Sequence, residues 1–159
     1  MTDNTDFEDV LARLIESHQQ HELANSTDMH LLADNRYEPA RIFFIKCLDD
    51  NDADWRYDFL TSLGYHFVLD DIVMEKIRYL SLHDESNLVR SCAASVWASQ
   101  KQTIDHHLLS ILDNDSDIMV KESVLVSILT KYIYQIRPLS IRDVKQKIKN
   151  GEFTMDRKG

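Results

Sequence analysis

The sequence predicts an all-α protein, a short right-handed α–α superhelix of about three helical hairpins with helical caps, some eight helices in all. Three observations carry that expectation. Apolar residues recur at helical spacing along most of the chain. Three glycines and two prolines in 159 residues are too few to punctuate a β-sandwich or barrel. One seven-residue pattern also returns at intervals of 34 and 31 residues, and a period near 30–35 with two helices per unit marks a helical solenoid.

In chain order, Thr5 and Glu8 read as a capping box that opens a helix carrying Phe7, Val10, Leu11, Leu14 and Ile15 at helical spacing. Residues 17–36 are polar around Leu31-Leu32 and are expected to form a loop with a short helix. Pro39 suits the first turn of the next helix, where its missing N–H costs nothing. Ala40 to Leu48 is apolar on nearly every side, as in a helix buried between neighbours.

The recurring pattern is Asp50-Asn51-Asp52-Ala53-Asp54-Trp55-Arg56, then Asp84-Glu85-Ser86-Asn87-Leu88-Val89-Arg90, then Asp115-Ser116-Asp117-Ile118-Met119-Val120-Lys121. Each copy is an Asp, four residues, a large apolar residue and a base. Apolar helical stretches precede the copies (39–48, 70–82, 104–112) and follow them (55–67, 89–98, 119–133). A lone hairpin cannot bury both apolar faces, so it stacks on its neighbours. The Asp is expected in the turn as a cap for the following helix. The large apolar residue is expected in the core, and the base within reach of an Asp in an adjacent turn.

This spacing resembles the HEAT repeat over roughly residues 38–134. Asp84, Val89, Arg90, Ala93 and Ala94 match that family best. Trp55 stands in place of Val in the first copy, with Phe59-Leu60 in place of the small residues, and Lys121 in place of Arg in the third. A lysine cannot make the two-pronged contact of an arginine, so an Asp–base ladder is weaker there. The resemblance implies a binding scaffold without saying what it binds.

One domain is expected over 1–159: a helix-and-loop cap over 1–36, three repeats over 37–136, a capping helix over 137–151 and a tail over 152–159. Ser140-Ile141-Arg142-Asp143 resembles a capping box, Ile141, Val144 and Ile148 form one stripe, and Asn150-Gly151 is a stop signal. The helix before it shows Val120, Val124 and Ile128 on one side and Leu125, Leu129, Ile133 and Ile136 towards another, which the terminal helix is expected to cover.

Charge is uneven. Residues 1–134 hold 11 Lys and Arg against 24 Asp and Glu, a net of −13, whereas residues 135–159 carry +4. An acidic body is a poor grip for phosphate backbones, so no direct nucleic-acid contact is expected. The basic end (Lys145, Lys147, Lys149, Arg157, Lys158) reads as the solvated face of a capping helix. The N-terminus lacks the charge and apolar run of a secretory signal. The run Ile42-Phe43-Phe44-Ile45 is too short to span a bilayer. Cys47 and Cys92 read as buried reduced thiols, and the expectation is a cytoplasmic protein, monomeric when free, with no membrane contact.

Chemistry-bearing motifs are sparse. There is no Gly-rich phosphate loop, no G-x-S-x-G and no H-E-x-x-H. His18 and His21 can share a helix face, and His106-His107 point different ways, but neither cysteine lies near a histidine as a structural zinc site prefers. No catalytic residue, cofactor or metal is expected. The turn carboxylates are expected to stay solvated, with ordinary pKa values. Some HEAT-like proteins resemble DNA-repair glycosylases, which want a basic concave surface, and others bilin lyases, which want an acid or nucleophile beside a pigment groove.

The acidic turns are the candidate site: Asp50, Asp52, Asp54 and Asp58, then Asp84 and Glu85, then Asp115 and Asp117. Stacking would align them along one edge, as helix caps or as a stripe that meets a basic protein. Trp55, Tyr57, Trp97, Tyr132 and Tyr134 are candidate interface anchors, although a buried aromatic is the commoner outcome at helical spacing. Size, charge and resemblance point to a non-catalytic inhibitor, similar to the small acidic immunity proteins of bacterial contact-dependent and polymorphic toxin systems. Its expected partner is a basic toxin domain such as a nuclease, occluded at its active site. The alternative is an adaptor or assembly factor that holds a cytoplasmic protein.

Overall fold

The computed structural model describes residues 6–22, 26–101, 105–132 and 141–151. The described residues form helices and connecting turns, with no strand among them. They divide into two compact units, Met1–Val68 and Leu69–Gly159.

The first unit holds α1 (Phe7–Gln19), α2 (Ser26–Asp34), α3 (Glu38–Cys47) and α4 (Ala53–His66). The pairs α1–α2 and α3–α4 pack as hairpins, and α2 also packs on α4. The segment read as a loop around a short helix thus contains the end of α1 and all of α2. Two acidic residues of α1's first turn, Glu8 and Asp9, suit the positive end of its dipole. Its cap is Asp6, whose carboxylate accepts from the Glu8 N–H at 3.0 Å; Thr5, expected as the cap, lies outside the described residues. Pro39 stands in α3's first turn, as its chemistry requires.

The core of this unit is aromatic. Phe44 and Phe59 are fully buried with ring centres 5.2 Å apart, and Trp55 stacks on Phe59 at 5.3 Å. Around them pack Leu14, Leu32, Leu48, Leu60 and Leu63, all without solvent exposure. Ile42, expected inside, is half exposed. Asp28 is buried, and Arg13 answers it with two hydrogen bonds of 3.0 and 3.1 Å, which fasten α1 to α2.

The second unit holds α5 (Asp71–His83), α6 (Asn87–Gln100), α7 (His106–Asn114), α8 (Ile118–Tyr132) and α9 (Ile141–Lys149). Hairpins α5–α6 and α7–α8 stack, α6 on α8 and α5 beside α7. Asp70 and Asp105 cap α5 and α7 through the N–H groups of Val73 and Leu108. Ala93 and Ala94 are fully buried, where small side chains let the helices approach. Val120, Val124 and Ile128 form α8's buried stripe as expected, and Leu125 and Leu129 are half-buried. Ion pairing of Lys145 with Asp113 ties α9 to the end of α7. That helix stops at Asn150-Gly151, where Gly151 takes a φ of +67°, as an L side chain rarely would. Ser140, Ile133, Ile136, Tyr134 and residues 152–159, with Arg157 and Lys158, lie outside the described residues.

Candidate functional site

The three Asp turns share one local construction, copied by sequence alone. In each, the first Asp accepts from the backbone N–H two residues on: Asp50 from Asp52 at 2.8 Å, Asp84 from Ser86 at 2.9 Å and Asp115 from Asp117 at 2.9 Å. The cap is that second residue. Asp52 accepts from the Asp54 N–H, Ser86 from Val89, and Asp117 from Met119 and Val120. The expectation that the first Asp caps the helix is therefore corrected. It lies two positions too early to reach the free N–H groups, and it orients the capping residue instead. The fifth residue on, Trp55, Val89 or Val120, is buried in all three copies.

Both arginines close their own turns, and Arg90 also makes the expected contact with an Asp of the adjacent turn. Arg56 donates to the carbonyls of Asp50 and Asn51, and Arg90 to those of Asp84 and Glu85. Arg90 also reaches the next turn, with hydrogen bonds of 2.8 and 3.2 Å to the two oxygens of Asp115. Beside it, Asn87 donates to Asp117 at 2.7 Å.

These contacts sort the eight candidate carboxylates. Asp115 has a side chain only 7 % exposed and is neutralised by Arg90. Asp117 is held ionised, below the usual carboxylate range, by Asn87 and the N–H groups of Met119 and Val120. Asp50 sits in a part-buried pocket that pushes its pKa up, yet the Asp52 N–H and His18 win and hold it below the usual range. Asp84 braces Ser86. These four are tied into structure first, so the expectation of solvated turns with ordinary pKa values is corrected. Asp52, Asp54 and Glu85 are exposed and Asp58 half-buried.

Asp58 is distinctive. Burial, then the charges of Asp54 and Asp52, raise its pKa, with His30 opposing. A carboxyl whose pKa is raised by folding favours the fold below its unfolded value, and that contribution is lost as pH climbs through the folded value. At neutral pH the charged Asp58 is a liability. Asp58→Asn is expected to raise the unfolding free energy measured in urea at pH 7, by less than about 1 kcal/mol because water screens a part-exposed group, and to leave it unchanged below pH ~3.5. A gain that persists in acid would refute that origin.

Histidines make two constellations the sequence did not reveal. His18 sits edge-on to Trp55 at 4.8 Å, with Phe43 and Phe59 beyond, and its Nε2 meets Asp50 at 2.6 Å. His21, expected on the same helix face, lies past α1 with a φ of +53°. In the second unit His107 Nε2 lies 2.8 Å from Ser81 Oγ, which resembles a nucleophile and base. The hydrogen positions argue otherwise. Ser81 is fully buried and donates its one proton to the Arg78 carbonyl at 2.7 Å. Nε2 must then carry the hydrogen it shares with Ser81, so it cannot serve that hydroxyl as a base. Burial lowers the pKa of His107 and keeps it neutral.

Trp55 and Trp97 are buried core residues. The Trp97 indole donates to Asp105 at 3.0 Å, which stabilises its burial. Tyr57 is half-buried; of the Tyr132 side chain and of Tyr134 nothing is described. Cys47 is buried, which pushes its thiol up to about 12, and Cys92, expected buried, is half-buried. Among the described residues no group of His, Cys, Asp or Glu could hold a metal ion, and no helix is long and apolar enough to cross a membrane.

One feature of α6 and α8 also escaped the sequence. Ser91 donates to Ser123 at 2.6 Å, and Ser95 and Ser127 pair at 3.1 Å, where Ser95 must donate because the Ser127 proton goes to the Ser123 carbonyl at 2.8 Å; the result is a seam of paired hydroxyls between the helices. The four-residue spacing in both helices was the available signal. No protein-family model matches the chain, and no curated protein or solved structure shows detectable similarity to it.

Proposed function

We propose that this chain is a non-catalytic protein-binding inhibitor, an immunity protein that neutralises a cognate basic toxin by covering its active site. A nuclease is the toxin class that fits, since its basic surface serves nucleic acid and an acidic partner can occupy that surface without chemistry. One observation supports this most. Arg56, the only base between residues 49 and 58, is buried with its guanidinium on the carbonyls of Asp50 and Asn51. Asp52 and Asp54 are exposed like charges, with Asp58 half-buried beside them. A basic partner relieves that repulsion, and the field of an acidic chain speeds its approach.

The reading is tested by capturing the tagged protein with its partners from its host at low and high salt. The expected result is one stoichiometric basic protein, toxic when expressed alone and harmless with this chain. A house-keeping complex instead makes the protein an adaptor. With the partner in hand, Asp52→Asn/Asp54→Asn/Asp58→Asn is expected to slow association at least tenfold at low salt and to flatten its salt dependence. Unchanged association kinetics would remove this face from the interface.

A further inference from the structure

We propose that the shared outer face of α6 and α8 docks one amphipathic helix of a basic protein partner. This proposal rests on the partner-binding reading above and names a second contact surface for it. The repeat supplies the starting point. The position four residues after each turn Asp is Asp54, Leu88 or Met119. In the first copy it is acidic and exposed; in the other two it is apolar and still exposed, Leu88 at 43 % and Met119 at 60 %. No core needs these side chains, because the next residue, Val89 or Val120, already fills it.

At about 3.6 residues per turn, Leu88, Cys92 and Ser95 share one stripe of α6, and Met119, Ser123 and Val126 one stripe of α8. Val126 is 59 % exposed. Between the stripes runs the serine seam, whose hydroxyls bond to one another and form a low floor. The face is thus a shallow two-helix trough with Leu88 on one wall and Met119 and Val126 on the other. Met119 and Val126 stand seven residues apart, about 10 Å along the helix axis, the spacing of two turns on a partner helix.

Charge decides the occupant. Glu85 and Glu122 are exposed at the margins of the trough. A second copy of this chain offers only its basic α9 to this face, and the rest of it, which leaves the chain at a net −9, opposes the approach. A helix with an apolar stripe flanked by Lys or Arg matches both the walls and the margins.

The full-length protein is to be titrated with a fluorescent 14-residue Leu/Lys peptide that forms an amphipathic helix. Its control is an isomer of the same composition with the pattern shuffled. The expected result is at least tenfold tighter binding of the amphipathic peptide. Leu88→Ser/Met119→Ser/Val126→Ser should abolish that preference with unchanged helicity; should it not fold, Met119→Lys alone, at an exposed helix start, should cut it severalfold. Equal binding of the two isomers, no binding, or full binding by the variants overturns the proposal. So does a concentration-dependent dimer of the wild type that the triple variant loses, because the occupant is then a second copy. Failure of the acidic face reads out separately: Asp52→Asn/Asp54→Asn/Asp58→Asn should slow peptide association at low salt and leave the isomer preference intact.

Discussion

Phe59→Ala is expected to destabilise the first unit by about 3–5 kcal/mol, the cost of a large cavity in a close-packed core. Phe59 is fully buried and touches the rings of Trp55, Phe43 and Phe44 at 5.2–5.4 Å. Those neighbours cannot all collapse into the space, since Trp55 is fixed at the start of α4 and Phe44 within α3. A whole domain is stable by only about 5–15 kcal/mol, so the loss should be plain in urea. Each unit carries one tryptophan, Trp55 or Trp97. A Trp97→Phe background therefore lets fluorescence follow the first unit alone. A loss below 1 kcal/mol would show that the aromatic cluster is loosely packed.

Arg90→Ala should cost the second unit a comparable amount, about 3–5 kcal/mol, because it strands a buried carboxylate. The Asp115 side chain is 7 % exposed and faces Arg90 with both oxygens. The same arginine closes its own turn through the carbonyls of Asp84 and Glu85. Much of the loss is the unpaired charge, so Arg90→Ala/Asp115→Asn should recover part of it. Arg90→Lys should fall in between, as a lysine offers no fork. If the double variant is no more stable than the single one, the damage lies in the turn carbonyls and the ladder contributes little.

The parts of this fold that could be read from the sequence are those decided within a few residues. The Asp turns, the buried residue five places later and the helices on either side depend on local hydrogen bonds and spacing, and each is found where the pattern put it. The Arg90–Asp115 contact was legible too, since it joins equivalent places in consecutive repeats. What escaped depends on packing between distant segments. Nothing near His18 announces Asp50, 32 residues away, or an aromatic pocket around its ring. Nothing near Asp28 announces Arg13, 15 residues away, as its partner. The candidate site was half legible for the same reason. Composition reveals an acidic stretch, but only the folded turn shows that Asp50, Asp84, Asp115 and Asp117 are bound inward while Asp54 faces out.

The thrice-repeated turn also bears on how the chain finds its fold. Each turn closes over seven residues, using only the first Asp, its cap and, in two copies, an arginine. Loops that short close within about 100 ns, long before side chains from distant segments meet. Contacts between helices that are neighbours in sequence then follow at small entropic cost, the condition under which helical domains fold in microseconds to milliseconds. The Asp turns are therefore expected to be early corner-pieces of the folding reaction, set before the aromatic and aliphatic cores consolidate around them.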